Sequence, residues 1–235
     1  MKELINPGDL PEVFAVTIDG PAGAGKTTMA RLLAKRLGAT MLDTGAMYRA
    51  VTAKVIDTGL DPENEEAVTL AARKIGIEFS GEHKDNVMVD GQDLSTRIRR
   101  QDVNSLVSLI SSYAGVRAEM AARQRKMAEG KRVVMEGRDA GSVILPDARF
   151  KFYLSAGPGV RALRRGAQLA EAGDDAGHEQ VLAGLMERDR KDSQREHSPL
   201  TQPAGAVEID TSQMDIDEVL ERMVLLIVSG GRSAP

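Results

Sequence analysis

Between an apolar stretch, Val13-Phe-Ala-Val-Thr-Ile18, and an amphipathic one, Lys26 to Leu37, stands Gly20-Pro-Ala-Gly-Ala-Gly25-Lys26-Thr27. No other feature constrains this chain as much. The octet fits G-x-x-x-x-G-K-[ST], and its flanks give the fit meaning: a strand delivers the chain into the loop and a helix carries it away. Glycines permit a tight loop whose backbone N–H groups turn inward on phosphate oxygens, and the helix N-terminus adds partial positive charge. In that setting Lys26 reaches the β- and γ-phosphates, and the Thr27 hydroxyl can ligate Mg²⁺. The loop therefore predicts a nucleotide phosphate site. By itself it does not choose among kinases, GTPases, ATPases and adaptors.

The rest of the chain continues the alternation. Thr40–Leu42, Arg132–Met135, Phe150–Leu154 and Ala206–Ile209 read as further strands. Helical spacing covers about Ala46–Asp57, Glu65–Ile75, Val103–Ser112, Val116–Glu129, Val160–Ala172 and Glu179–Arg190, and a last helix carries Ile216, Val219, Leu220, Met223, Val224 and Ile227 on one stripe. Strands alternating with helices predict an α/β fold with a five-stranded parallel sheet covered on both faces, whose ligands sit at the strands' carboxyl ends. Ile77–Phe79 and Val87–Val89, with a turn at Asp90-Gly91, interrupt the rhythm and read as a small antiparallel insert. Residues 1–12 read as a flexible extension, 13–228 as one domain and 229–235 as a tail.

Composition excludes several functions. There is no cysteine, hence no disulfide scaffold, thiolate zinc site or cysteine nucleophile. The chain suits a reducing cytoplasm, and no apolar run approaches the ~18 residues of a membrane span. Aromatic residues make up 3% and the net charge is -4, which disfavours a nucleic acid polymer as partner. Yet 21 of the 31 basic residues are arginine, whose planar fork suits phosphate and carboxylate. Genomic base composition explains part of that excess.

Arginines recur where strands should end. Arg49 follows Asp43-Thr44-Gly-Ala-Met-Tyr48, Arg138 lies in Glu136-Gly-Arg-Asp139, and others group at 97–100, 161–165 and 188–195. Taken singly, Thr44 reads as a helix N-cap and Arg49 as a solvated charge. Taken together, the clusters suit two phosphorylated ligands. An acceptor that is itself a phosphate attacks through an oxygen already anionic, so positioning and charge neutralisation suffice. The three histidines (His83, His178, His197) form no evident pair with a carboxylate. A hydroxyl acceptor would need a carboxylate base, for which Asp19 and Asp139 are the candidates. No N-K-x-D motif reads guanine, and no apolar run ending in an acidic pair suggests a motor ATPase.

At Ile18–Lys26, Leu42–Arg49, Ile98-Arg99, Val116-Arg117, Glu136–Asp139 and Arg188–Arg195 the chain resembles the bacterial cytidylate kinases, in order and spacing over nearly its whole length. The resemblance implies a P-loop kinase that moves a phosphoryl group from ATP to CMP or dCMP, as a cytoplasmic monomer with Mg²⁺. Residues 43–130 then form the monophosphate-binding region and 188–199 a short lid. Thr44, Arg117 and Asp139 resemble the residues that read cytosine, and Ser108, Arg188 and Asp192 those that hold the pentose. Arg49, Arg138 and Arg195 resemble the acceptor-phosphate clamp, with Tyr48 shaping its pocket. Gly20, Pro21, Ala22, Gly23, Ala24, Gly25, Lys26, Thr27 and Thr28 hold ATP. The resemblance further implies that Lys26, Arg138, Arg188 and Arg195 carry the transfer. Thr27 is the metal ligand, and no carboxylate presents itself as a second one.

Overall fold

A computed structural model describes residues 10–81, 86–171 and 177–230. Five parallel strands, β1 (Phe14–Asp19), β2 (Thr40–Asp43), β6 (Arg132–Glu136), β7 (Phe150–Ser155) and β8 (Val207–Asp210), form one sheet in the order β2-β6-β1-β7-β8. The central strand is the one that feeds the glycine loop. Its side chains are buried on both faces, as a doubly covered strand requires: Val16, Thr17, Ile18 and Asp19 are all inaccessible. Register sets Ile18 and Asp43 beside Glu136, so β1, β2 and β6 present their carboxyl ends at one level.

Helix α1 (Lys26–Leu37) begins where the loop ends and stops at Gly38. Its Met29, Leu33 and Leu37 pack with Val16, Ile18, Phe152 and Leu154 of the sheet and with Met223 and Ile227 of α8 (Ile216–Val228). A second core lies off the sheet, where α2 (Thr44–Asp57), α3 (Glu65–Lys74), α4 (Gln101–Ile110) and α5 (Ala114–Ala128) pack around Met47, Val51, Ile98, Ile110 and Met120. The antiparallel insert caps this core. It has a third strand beyond the two expected: β3 (Ile77–Ser80), β4 (Asn86–Val89) and β5 (Gln92–Asp93). A pair of helices, α6 (Pro158–Glu171) and α7 (His178–Gln194), stands beside the loop on the other side.

At four places the structure adds to or differs from the local expectation. Asp43, not Thr44, caps α2, its carboxylate accepting from the Ala46 N–H at 2.8 Å. The segment after Asp139 folds into a π-helical turn, Ala140–Ile144, that no spacing signalled. Helix α7 continues to Gln194, so the first half of the expected lid segment is helical. Of the N-terminal extension, residues 1–9 lie outside the described residues, but Leu10 and Pro11 are held, their carbonyls accepting from Arg132 at 3.0 and 2.8 Å. His83, Ala172 and residues 231–235 also lie outside the described residues. Among the described residues no helix is long and apolar enough to cross a membrane.

Candidate active site

The loop exists because its first residue is glycine. Gly20 leaves β1 at φ 143°, and a Cβ there would stand 2.0 Å from the Leu154 carbonyl oxygen. Any side chain would push the loop off β7. From that turn the chain reaches Lys26, whose buried ammonium donates to the Pro21 carbonyl at 2.7 Å. Burial, with Arg138 and Arg188 nearby, lowers the Lys26 pKa to about 7. An anion placed in the loop would reverse that shift, since opposite charge favours the protonated form.

The Thr27 hydroxyl donates to a Glu136 carboxylate oxygen at 2.7 Å. Burial and the negative charge of Asp43 raise Glu136 to about 7. Thus the end of β6 brings a carboxylate to the one hydroxyl the sequence marked for a metal. Hydroxyl and carboxylate are hard oxygen donors of the kind Mg²⁺ takes. Among the described residues no group of three or more His, Asp or Glu side chains gathers that could hold a metal by itself.

Asp19 is not available as a base. Its two oxygens accept the Ala140 and Gly141 N–H groups at 2.8 and 2.7 Å, and it is fully buried. It ties the glycine loop's strand to the π-helical turn. Burial raises its pKa to about 6 despite those two bonds. Asp139, the other candidate, is ion-paired with Arg117 in the interior.

Around these groups opens a cavity of about 760 Å³, ample for two small ligands. The phosphate loop from Ala22 to Thr28 forms its floor. One end is lined by Arg164, Thr211 and Met214, and the other by Thr44, Tyr48, Arg49, Arg117, Asp139, Arg188, Asp192 and Arg195. Gly20, Pro21 and Ser108 are not among its lining residues; the α4 wall is Asn104 and Val107.

At the second end two carboxylates organise the arginines. Asp192 accepts from Arg138 Nε at 2.9 Å and lies 3.9 and 3.8 Å from Arg188 and Arg195. Burial pushes its pKa up, but these three guanidiniums outweigh it and hold the carboxyl below its ordinary value. Asp139 pairs with Arg117 and lies 3.9 Å from Arg195. Arg117 in turn spreads over the Tyr48 ring, 5.2 Å from its centroid. The Thr44 hydroxyl donates to the Glu136 carbonyl at 2.8 Å, an approach that only glycine at 137 permits. Arg49 is no solvated charge. It donates to Asn104 Oδ1 at 2.6 Å and to the Ile98 carbonyl at 3.2 Å. Burial and the charge of Arg188 lower its pKa to about 9; burial and Arg138 lower that of Arg188 to about 10. Guanidiniums crowded this closely are stabilised by an anion. Four buried atoms here lack a hydrogen-bond partner: Tyr48 Oη, Arg117 Nε, Arg188 Nε and Arg195 Nη2.

The family model for cytidylate kinase matches residues 16–229. This chain belongs to the cytidylate kinase family. A cytidylate kinase of Caldanaerobacter subterraneus is 49% identical over 208 residues, 88% of this chain and 92% of that one. One from Bacillus cereus is 42% identical over 218 residues, 92% of this chain and 96% of that one. Among solved structures, an uncharacterized protein from Eubacterium ventriosum superposes with a TM-score of 0.51 at 13% identity, covering 93% of this chain and 99% of its own, a likeness of fold alone.

In this cytidylate kinase family member the arginine clusters divide by task. Arg97 pairs with Asp57 and Asp102 at the surface, and Arg190 with the exposed Glu187. Neither lines the cavity. Arg164 donates to the Thr211 hydroxyl and carbonyl at 2.9 and 2.7 Å, bracing the cavity wall after β8. Sequence reasoning missed Asn104 and Glu136 as partners of Arg49 and Thr27. Only the family spacing around Arg99 and the position of Glu136 at a strand's end could have marked them.

Proposed function

We propose that the chain transfers the γ-phosphoryl group of ATP to CMP or dCMP, giving ADP and CDP or dCDP. The observation that carries this reading is the set of four buried donors without a hydrogen bond beside Asp139 and Asp192, across one cavity from a phosphate loop. Unsatisfied buried donors are costly, and an anionic, polar ligand satisfies them. Asp139 with Arg117 offers an acceptor beside a donor, the pattern a cytosine edge needs, and Thr44 stands next to them. Asp192 and Arg188 serve the pentose, beside the α4 wall of Asn104 and Val107. Arg49, Arg138 and Arg195 hold the acceptor phosphate, and Tyr48 closes the pocket behind it.

ATP lies along the loop from Gly20 to Thr28. Its polyphosphate takes the loop's backbone N–H groups other than that of Ala22 and keeps Lys26 protonated. Mg²⁺ would sit at Thr27 and Glu136, water completing its shell, and would neutralise charge on the phosphates. Transfer is in line, with Lys26, Arg138, Arg188 and Arg195 offsetting the charge around the moving group. No base is needed, because the attacking phosphate oxygen is already anionic. Residues 13–228 act as one kinase domain, with 43–130 binding the monophosphate and 188–199 closing as a lid that excludes water. We place it in the cytoplasm as a monomer.

An ADP-release assay with CMP, dCMP, UMP, AMP and shikimate tests this. CMP and dCMP should be used best, and Lys26→Ala should abolish release with all of them. Preference for another acceptor would refute the reading, as would ATP binding with no transfer.

A further inference from the structure

Ala22, the third residue of the phosphate loop, is fixed at three points by a different part of the chain. Its methyl packs into an apolar cluster of Ala162, Val181 and Leu185, contributed by α6 and α7. Its N–H donates to Asp189 Oδ1 at 3.2 Å, and its carbonyl accepts from Arg161 Nη1 at 3.0 Å. Arg161 and Asp189 are themselves ion-paired, and Arg161 Nε donates to the Ala156 carbonyl at 2.9 Å. The pair is largely out of water, with side-chain exposures of 7% and 17%. None of the phosphate or base chemistry proposed for the site uses it.

The two elements that the contact joins give it meaning. Helix α7 carries Asp189 between Arg188 and Asp192, and Arg195 follows at its end. These neighbours line the acceptor end of the cavity. A helix moves as a rigid body over so few residues, so seating Asp189 on Ala22 also seats its neighbours. A shift of the loop around a polyphosphate would reach Arg188 and Asp192 through that single turn.

We infer that the Ala22–Arg161–Asp189 contact couples the two halves of the site: filling the phosphate loop positions α7, and through it the acceptor-side arginines. Asp189 is a positioning residue, not one that touches substrate. The inference rests on the proposed ATP and CMP sites. Coupling of this kind is reciprocal, so each nucleotide tightens the other by the same factor.

Calorimetry on the full chain tests it, titrating CMP with and without a saturating non-hydrolysable ATP analogue and Mg²⁺. The unaltered chain should bind CMP at least about fivefold tighter with the analogue present, the low end of ordinary coupling. Asp189→Asn keeps an acceptor for the Ala22 N–H but loses the ion pair. It should bring that factor below about twofold, while CMP affinity without the analogue stays within about twofold. Ala22→Gly removes only the methyl and decides the matter if Asp189→Asn does not fold; it should lower the factor too. A coupling factor the same in variant and parent overturns the link, as does no coupling in the parent. Equal loss of both affinities would reduce Asp189 to a structural role and overturn it as well. If the parent turns over CMP, those results leave the kinase reading standing. If CMP neither binds nor reacts, the reading falls and the link with it.

Discussion

Arg49 shows how a single side chain depends on neighbours the sequence does not advertise. Its guanidinium is oriented by Asn104 Oδ1, and Asn104 Nδ2 donates to the Arg99 carbonyl at 3.1 Å. Asn104→Ala removes the orienting bond without touching charge. A hydrogen bond to a charged group contributes about 1.5–3 kcal/mol, so KM for CMP should rise roughly tenfold or more, with kcat less affected. Steady-state kinetics with CMP varied checks this. An unchanged KM would remove Asn104 from the account. The arginines themselves were legible because guanidinium chemistry is particular. Their partners were not, since Asn104 and Asp189, like the Glu136 that meets Thr27, are common polar residues whose meaning comes from where the fold brings them. Asp19 illustrates the opposite hazard: a carboxylate at a strand's end suggests a base, yet both its oxygens accept backbone N–H groups and it is fully buried, away from the cavity lining.

Elements were easier to read than contacts. The spacing of Met29, Leu33 and Leu37 and the stop at Gly38 predict α1 as it stands, because propensity, pattern and capping agree there. The π-helical turn was invisible because it is held by Asp19 from a distant strand, not by local sequence. Where an element is fixed by sterics, a small change should be costly. Gly20→Ala sets a methyl against the Leu154 carbonyl in a backbone conformation that L-residues avoid, and should destabilise by about 3 kcal/mol or more. Asp215→Ala, which breaks the capping box of α8 with Glu218, should cost only about 1 kcal/mol. Urea unfolding of the two variants beside the parent measures the contrast. Comparable losses would mean that β7 yields to the added methyl.

For the molecule as a whole, the buried charges of the site set a pH dependence. Glu136, raised from 4.5 to about 7, and Asp19, raised from 3.8 to about 6, bind protons in the folded chain that the unfolded chain releases. Their share of stability is complete below about pH 4 and is lost as pH rises to 7. Lys26, lowered from 10.5 to about 7, acts in the opposite sense. Its share is complete above about pH 10 and is lost as pH falls toward 7. The nucleotide-free chain should therefore show a shallow stability minimum near pH 7 in denaturant titrations from pH 5 to 9. Glu136→Gln should flatten the acidic side of that minimum, and a profile identical to the parent's would rule Glu136 out as its source. The parallel sheet and its helical layers were readable at this scale from alternation alone. That the carboxyl ends of β1, β2 and β6 stop level with one another was not, since register is a property of pairing between distant segments.

The turn after Asp139 also restricts the chain's length. Val143 and Ile144 both donate to the Asp139 carbonyl, at 2.9 and 3.2 Å, and Leu145 donates to Ala140 at 2.8 Å, closing a loop one residue wider than an α-helical turn. That spare residue lets Ala140 and Gly141 face Asp19 while Asp139 meets Arg117. Deleting one residue between 141 and 144 would tighten the turn to ordinary helix and rotate the downstream backbone by roughly 100°. Asp139 and the anchor on Asp19 could not then both be kept. The number of residues in this turn is therefore as tightly constrained as the identity of Asp139 itself.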